Sequence, residues 1–170
     1  MEIRFLRAED AAEWWRLRAE ALRGDPAAFS ASAEEHESLT LEEVRRRFGS
    51  NDDEMFVAGA FEDGRLAGMA GFYREKGAKS RHKGRVWGVY VTPTSRGQSM
   101  GRKMLQVLLE RAGGISGVEQ ILLSVTTTQE AAIALYRTLG FQTFGCEPRA
   151  LKIGDRYLDE EYMMLRLERG

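Results

Sequence analysis

Val89-Tyr90-Val91-Thr92-Pro93-Thr94-Ser95-Arg96-Gly97-Gln98-Ser99-Met100-Gly101-Arg102 is the most informative stretch of the chain. It reads as a strand end, a proline stop, a turn of small residues and a helix start. The first turn of a helix offers four N–H groups without intrahelical partners, and the helix dipole adds positive potential there. Small residues let a polyanion approach those groups, which is how helix N-termini take phosphate. Arg96 and Arg102 flank the turn with further charge. A phosphate-bearing ligand is the physical reading; a plain strand-to-helix loop of ordinary turn residues is the alternative. The fingerprints G-x-G-x-x-G and G-x-x-x-x-G-K-[ST] are both absent.

Outward from this turn, hydrophobic periodicity predicts alternating strands and helices. Upstream lie a strand at Glu2 to Arg7 and a helix at Asp10 to Arg23, with Trp14, Leu17, Ala21 and Leu22 at helical spacing. Ser32 with Glu35, and Thr40 with Glu43, form two S/T-x-x-E pairs that predict capping boxes on short helices. Met55 to Phe61 and Leu66 to Tyr73 are strands joined at Glu62-Asp63-Gly64-Arg65, a good hairpin turn. Arg85 to Thr92 is the next strand. Gly101 to Ala112 is a helix with a stripe of Met104, Leu105, Leu108 and Leu109. Val118 to Val125 is near-continuously apolar, as a strand buried on both faces would be. A helix at Gln129 to Leu139, a strand at Phe141 to Gly145 and a pair at Arg149 to Ile153 and Glu160 to Leu167 complete the chain. Strands and helices in this order predict an α/β or α+β layered fold in a single domain, 1–170.

Composition narrows the function. The 170 residues carry 25 basic and 26 acidic side chains, a net charge of −1, with 43% hydrophobic content. A chain of this size buries about 70% of its unfolded surface, so a sizeable core is expected. No apolar run reaches the ~18 residues of a membrane span. The start, Met1-Glu2-Ile3-Arg4-Phe5, lacks the apolar stretch of a secretory signal. A soluble, cytoplasmic protein is expected. Cys146 is the single cysteine, so neither an internal disulfide nor a thiolate metal site can form, and no metal is expected. A lone cysteine beside a strand reads as a small buried hydrophobe. The near-zero balance argues against a nucleic-acid partner. It is nonetheless a cancellation, because Arg74 to Lys103 holds nine basic residues and only one acidic, Glu75. That excess is expected to surround the phosphate-binding turn and steer a polyanion to it. Within it, Lys76 to Arg85 reads as a solvated loop; helping to hold the 3′-phosphate end of a cofactor is a further reading.

Gln129-Glu130-Ala131-Ala132-Ile133-Ala134-Leu135-Tyr136-Arg137-Thr138-Leu139-Gly140-Phe141 is the second informative stretch. Its Ala/Leu/Tyr stripe at helical spacing is ordinary core packing when read alone. Together with the first motif it resembles the GCN5-related N-acetyltransferases. Arg96-Gly97-Gln98-Ser99-Met100-Gly101 is similar to that family's R/Q-x-x-G-x-G/A loop, and Gln129 to Phe141 to its N-x-x-A-I-x-L-Y-x-x-L-G-F junction. Ser99 stands where the loop usually has its middle glycine, and Gln129 replaces an asparagine. A positive φ at position 99 would be costly for serine. The two motifs cover Val86 to Phe141, about a third of the chain.

The resemblance implies a central mixed, mostly antiparallel sheet of six to seven strands flanked by helices. It implies an acetyl-CoA-dependent N-acetyltransferase acting by direct attack in a ternary complex. The acceptor would be a primary amine: a small molecule, an amino acid or a peptide N-terminus. Val89, Val91, Arg96, Gly97, Gln98, Ser99, Met100, Gly101, Arg102, Gln129 and Tyr136 would bind the cofactor. The backbone N–H of Tyr90 or Val91 would polarise the thioester carbonyl, and Tyr136 would protonate the departing thiolate. Removing a proton from the acceptor ammonium needs a base or a water chain. Glu34, Glu35, His36 and His82 are the candidates, against the alternative that each is an ordinary surface or helix-terminus residue. A non-catalytic coenzyme A sensor of the same fold is the competing reading. Many relatives dimerise, so a homodimer stays open, although no self-complementary patch is legible.

Overall fold

Residues 1–49 and 52–167 are described by a computed structural model of the chain. Twelve main elements run in the order β1 (Glu2–Phe5), α1 (Ala11–Gly24), α2 (Ala33–Glu37), α3 (Leu41–Gly49), β2 (Met55–Glu62), β3 (Arg65–Arg74), β4 (Lys83–Val91), α4 (Met100–Gly114), β5 (Gln120–Thr126), α5 (Glu130–Thr138), β6 (Gln142–Ile153) and β7 (Arg156–Arg166). The strands form one seven-stranded sheet in the order β1-β2-β3-β4-β5-β7-β6. Every neighbouring pair is antiparallel except β4 with β5.

Local chemistry accounts for most boundaries. The Ser32 hydroxyl accepts the Glu35 N–H at 3.1 Å while the Glu35 carboxylate accepts the Ser32 N–H at 2.8 Å, opening α2. Thr40 and Glu43 exchange the same pair of bonds ahead of α3. Asp63 and Gly64 take φ of 49° and 77°, the left-handed geometry that a two-residue hairpin turn needs. One buried cluster packs α4 and α5 against one face of the sheet, through residues such as Met104, Leu108, Ile121 and Ile133. A second lies on the other side beneath α1 and α3, with Trp14, Leu17, Val44 and Met69.

Two irregularities in β4 position the site. Parallel pairing with β5 covers only Lys83 to Arg85 against Gln120 to Leu122, and beyond that the strands part. Ser124, in the middle of β5, is consequently exposed although β5 is a central strand. On the other edge, Met69 pairs Tyr90 and Gly71 pairs Trp87, so two residues of β4, Gly88 and Val89, face one of β3. Gly88 sits at this bulge with φ of 63°.

The last hairpin differs from its sequence reading. β6 and β7 are continuous strands of twelve and eleven residues meeting at Gly154-Asp155. β6 is an edge strand exposed along most of its length, so polar residues on both faces mask the alternation that marks a half-buried strand. Cys146 lies on this edge and is exposed, not buried as expected. The first helix runs one residue past its expected end at Arg23: Gly24 remains helical, and Asp25, with φ of −142°, turns the chain out of α1.

Candidate functional site

The turn between β4 and α4 opens onto a cleft of about 630 Å³. Ser99 is the N-cap of α4 in left-handed geometry, φ 59°, and its hydroxyl caps no backbone N–H. The first turn of this fifteen-residue helix therefore presents its N–H groups uncapped by that side chain. Gly97, with φ of 80°, bends the turn, and a methyl group added there would meet nothing within 4 Å. Gly101 faces the cleft near Leu135 and Val91, each 3.6 Å from where a Cβ would stand. Arg96 is exposed beside the turn and donates Nε–H to the Val91 carbonyl at 3.0 Å. Arg102 reaches α5, bonding the Thr138 hydroxyl at 2.9 Å.

Val89, Val91, Arg96, Gly97, Ser99, Met100, Gly101, Arg102, Gln129 and Tyr136 all line this cleft, and Gln98 does not. The Gln129 amide donates to the Asp25 carboxylate at 3.2 Å, joining the N-terminus of α5 to the end of α1. Strand geometry separates Tyr90 from Val91. Thr92 N–H bonds the Ala67 carbonyl of β3 at 2.8 Å. Alternation then turns the main chain of Tyr90 toward β3 and that of Val91 toward the parted edge. The Arg96 contact to the Val91 carbonyl agrees with that direction. The Tyr90 hydroxyl bonds Glu20 of α1 at 3.2 Å. Tyr136 is buried on α5, edge-on to Phe141, and burial raises its hydroxyl above the ordinary tyrosine pKa.

The cleft continues between the parted strands. A neck of about 80 Å³ is bounded by Val86, Gly88 and Val89 on one side, Leu123 and Val125 on the other, with Tyr136 at its wall. It leads to a second pocket of about 310 Å³ beneath α1, which holds Arg18, Tyr73, Arg85, Trp87, Ser124 and Glu160. Arg18 is 8% exposed; its guanidinium lies 4.9 Å from the Phe29 ring centre and 5.6 Å from that of Trp87. Burial lowers its pKa to about 10, which leaves it charged at neutral pH. Burial, with the Glu147 charge beside it, raises the Glu160 carboxyl above the usual range.

The structure does not bring the expected base candidates here. His36 is buried, donates Nε2–H to the Trp15 carbonyl at 2.9 Å and packs against both Trp14 and Trp15. Glu35 is spent on the Ser32 cap. Glu34 lines a separate groove beside Leu151 and Lys152. His82 precedes the opposite end of β4, on the order of 20 Å along the strand from Gly88. Glu160 and Arg18 escaped the sequence reading because only the tertiary packing places them in one pocket beyond the neck.

The basic stretch also divides. Arg96, Arg102 and Lys103 adjoin the turn, whereas the six from Arg74 to Arg85 gather at the far end of β4. There Arg81 and Arg85 pair with Glu54 and Glu75 at 2.7 and 2.6 Å. The expectation that the whole excess surrounds the turn is therefore corrected, and the Lys76 to Arg85 loop lies away from it.

No helix among the described residues is long and apolar enough to cross a membrane. The family model of the acetyltransferase (GNAT) family matches residues 11–141. The N-alpha-acetyltransferase RimI of Mycobacterium tuberculosis is 38% identical over 95 residues, 56% of this chain and 57% of that protein. The L-methionine sulfoximine/L-methionine sulfone acetyltransferase of Pseudomonas aeruginosa is 35% identical over 80 residues, 47% of this chain and 46% of that protein. The matched stretches thus span about half the length of these curated relatives. A GNAT-family acetyltransferase from Streptococcus pneumoniae superposes with a TM-score of 0.87 at 23% identity, over 98% of this chain and 99% of that one. The acetyl-CoA complex of yncA from Salmonella typhimurium superposes with a TM-score of 0.82 at 24% identity, over 100% and 95%.

Proposed function

The chain belongs to the acetyltransferase (GNAT) family, and from that premise we propose that it moves the acetyl group of acetyl-CoA to a primary amine by direct attack in a ternary complex. One observation carries the reading: an uncapped helix N-terminus opens on a cleft that shares walls, through a small pocket between the parted strands, with a second pocket. The residues suit the co-substrate, since the α4 N–H groups, Arg96 and Arg102 can hold a pyrophosphate and the cleft is large enough for an extended arm. Acetyl-CoA supplies an acyl group already activated as a thioester, so no covalent enzyme intermediate is needed.

The chain's own residues then do four things. The Val91 N–H points to the parted edge and polarises the thioester carbonyl. The neck aligns the amine from the α1 side with that carbonyl. Glu160, with its raised affinity for a proton, takes one proton from the ammonium and passes it to water. The nitrogen–carbon bond forms as the carbon–sulfur bond breaks, Tyr136 gives its hydroxyl proton to the thiolate, and the second nitrogen proton restores the tyrosine.

Two measurements test this. Coenzyme A should raise the thermal midpoint, and a panel of amines should release free thiol from acetyl-CoA. Stabilisation without thiol release would instead assign the chain to the non-catalytic sensor reading. Neither response would sink both.

A further inference from the structure

Arg18 carries a charge that two aromatic rings face but no anion balances. Its Nη1 is buried without a hydrogen-bond partner, and no carboxylate among the described residues pairs with it. Its neighbours are the faces of Phe29 and Trp87 and the backbone of Gly88, where a Cβ would stand 3.0 Å from Nη1. Packing alone would be served more cheaply by an uncharged chain of the same length, because a buried, unpaired ion is expensive to keep. Such a group is a docking point for an anion that arrives from outside.

The same pocket has a carboxylate without a counter-cation, its one side-chain partner among the described residues being the Ser124 hydroxyl. Glu160 lines it, and no basic side chain among the described residues forms an ion pair with it. The remaining cation there, Arg85, is engaged by Glu75 at 2.6 Å. A pocket of about 310 Å³ thus holds, beside the neck, one cation without a counter-ion and one carboxylate that is hydrogen-bonded to Ser124 but has no counter-cation among the described residues. That is the complement of a small zwitterion, and guanidinium matches carboxylate in planar, two-pronged fashion.

We propose that the acceptor is a free α-amino acid whose carboxylate docks on Arg18 and whose ammonium turns toward Glu160 and the neck. The inference rests on the acetyl-transfer reading. A peptide N-terminus, whose first residue has an amide in place of the carboxylate, would leave Arg18 unpaired.

The test is thiol release from acetyl-CoA by the full chain with the twenty standard L-amino acids, each beside its α-carboxamide, and with short peptides. At least one acid should exceed its carboxamide by about tenfold or more in kcat/KM, and Arg18→Met should bring that ratio near one. Arg18→Lys, which keeps charge without the fork, should retain part of the preference. Should Arg18→Met fail to fold, Arg18→Gln replaces it. Carboxamides or peptides that match the acids, or a ratio that survives the substitution, overturn the inference while acetyl transfer stands. If no amine releases thiol, acetyl transfer itself falls, and calorimetric titration of the same pairs into the coenzyme A-saturated protein decides. Acid-selective binding that Arg18→Met abolishes supports the inference; equal or absent binding overturns it.

Discussion

Gly71 and Trp87 are direct partners across β3 and β4, and the indole lies over the glycine so closely that a Cβ there would stand 2.2 Å from the Trp87 ring. The missing side chain is what lets the Trp87 indole lie against Gly71 and form a wall of the pocket that holds Arg18 and Glu160. Gly71→Ala should therefore destabilise by about 1–3 kcal/mol through overpacking. The indole would have to move, so acceptor KM should rise as well. Urea denaturation and steady-state kinetics read the two effects separately. An unchanged midpoint would contradict the close contact.

Ser99 holds a left-handed backbone that costs an L-residue about 1–2 kcal/mol. Glycine relieves that strain but loses more chain entropy on folding, so Ser99→Gly should stabilise by about 0.5–1 kcal/mol net. Its N–H is kept, and coenzyme A affinity should stay within twofold. Ser99→Val, β-branched, should lower the midpoint. Differential scanning calorimetry with and without coenzyme A checks all three.

Tyr136→Phe removes the hydroxyl and leaves the packing against Phe141. Loss of general-acid help should lower kcat by about 10²-fold. The coenzyme A dissociation constant should hardly move. A kcat equal to that of the parent would reassign the proton donor.

Acid should destabilise the fold in two separate legs. Burial lowers the His36 pKa below 6.5, so the unfolded chain takes up that proton first; stability is full above pH 6.5 and falls as pH drops through the lower native value. The second leg belongs to Asp10. Its hydrogen bond with Arg4, at 2.6 Å, holds its carboxyl below the ordinary 3.8. That contribution is present above pH 3.8 and is lost as pH falls through the depressed value. His36→Gln should remove the first leg of a midpoint-versus-pH curve and Asp10→Asn the second. Asp10→Asn should also cost about 1.5–3 kcal/mol at neutral pH.

Much of this was legible residue by residue. Asp63-Gly64 announces its turn, Ser32 and Thr40 announce their caps, and Trp14, Leu17, Ala21 and Leu22 announce the buried side of α1, all of which the structure bears out. These signals are short-range: a cap or a helical stripe needs only residues three or four apart. The edge strand β6 was only partly legible, because with little buried on either face its composition has no period to display.

By itself, then, the sequence determined the layered order of elements and the small-residue turn ahead of α4, since backbone geometry and hydrophobic spacing are local. Only the tertiary structure decided that β4 and β5 part beyond Arg85 and Leu122, that Ser124 is open to solvent, and that Arg18 and Glu160 share a pocket. Strand separation is set by what packs on both faces and by a bulge at Gly88, so no window of sequence contains it. The same distance explains why Arg18 reads as one more helix arginine until Phe29 and Trp87 close around it.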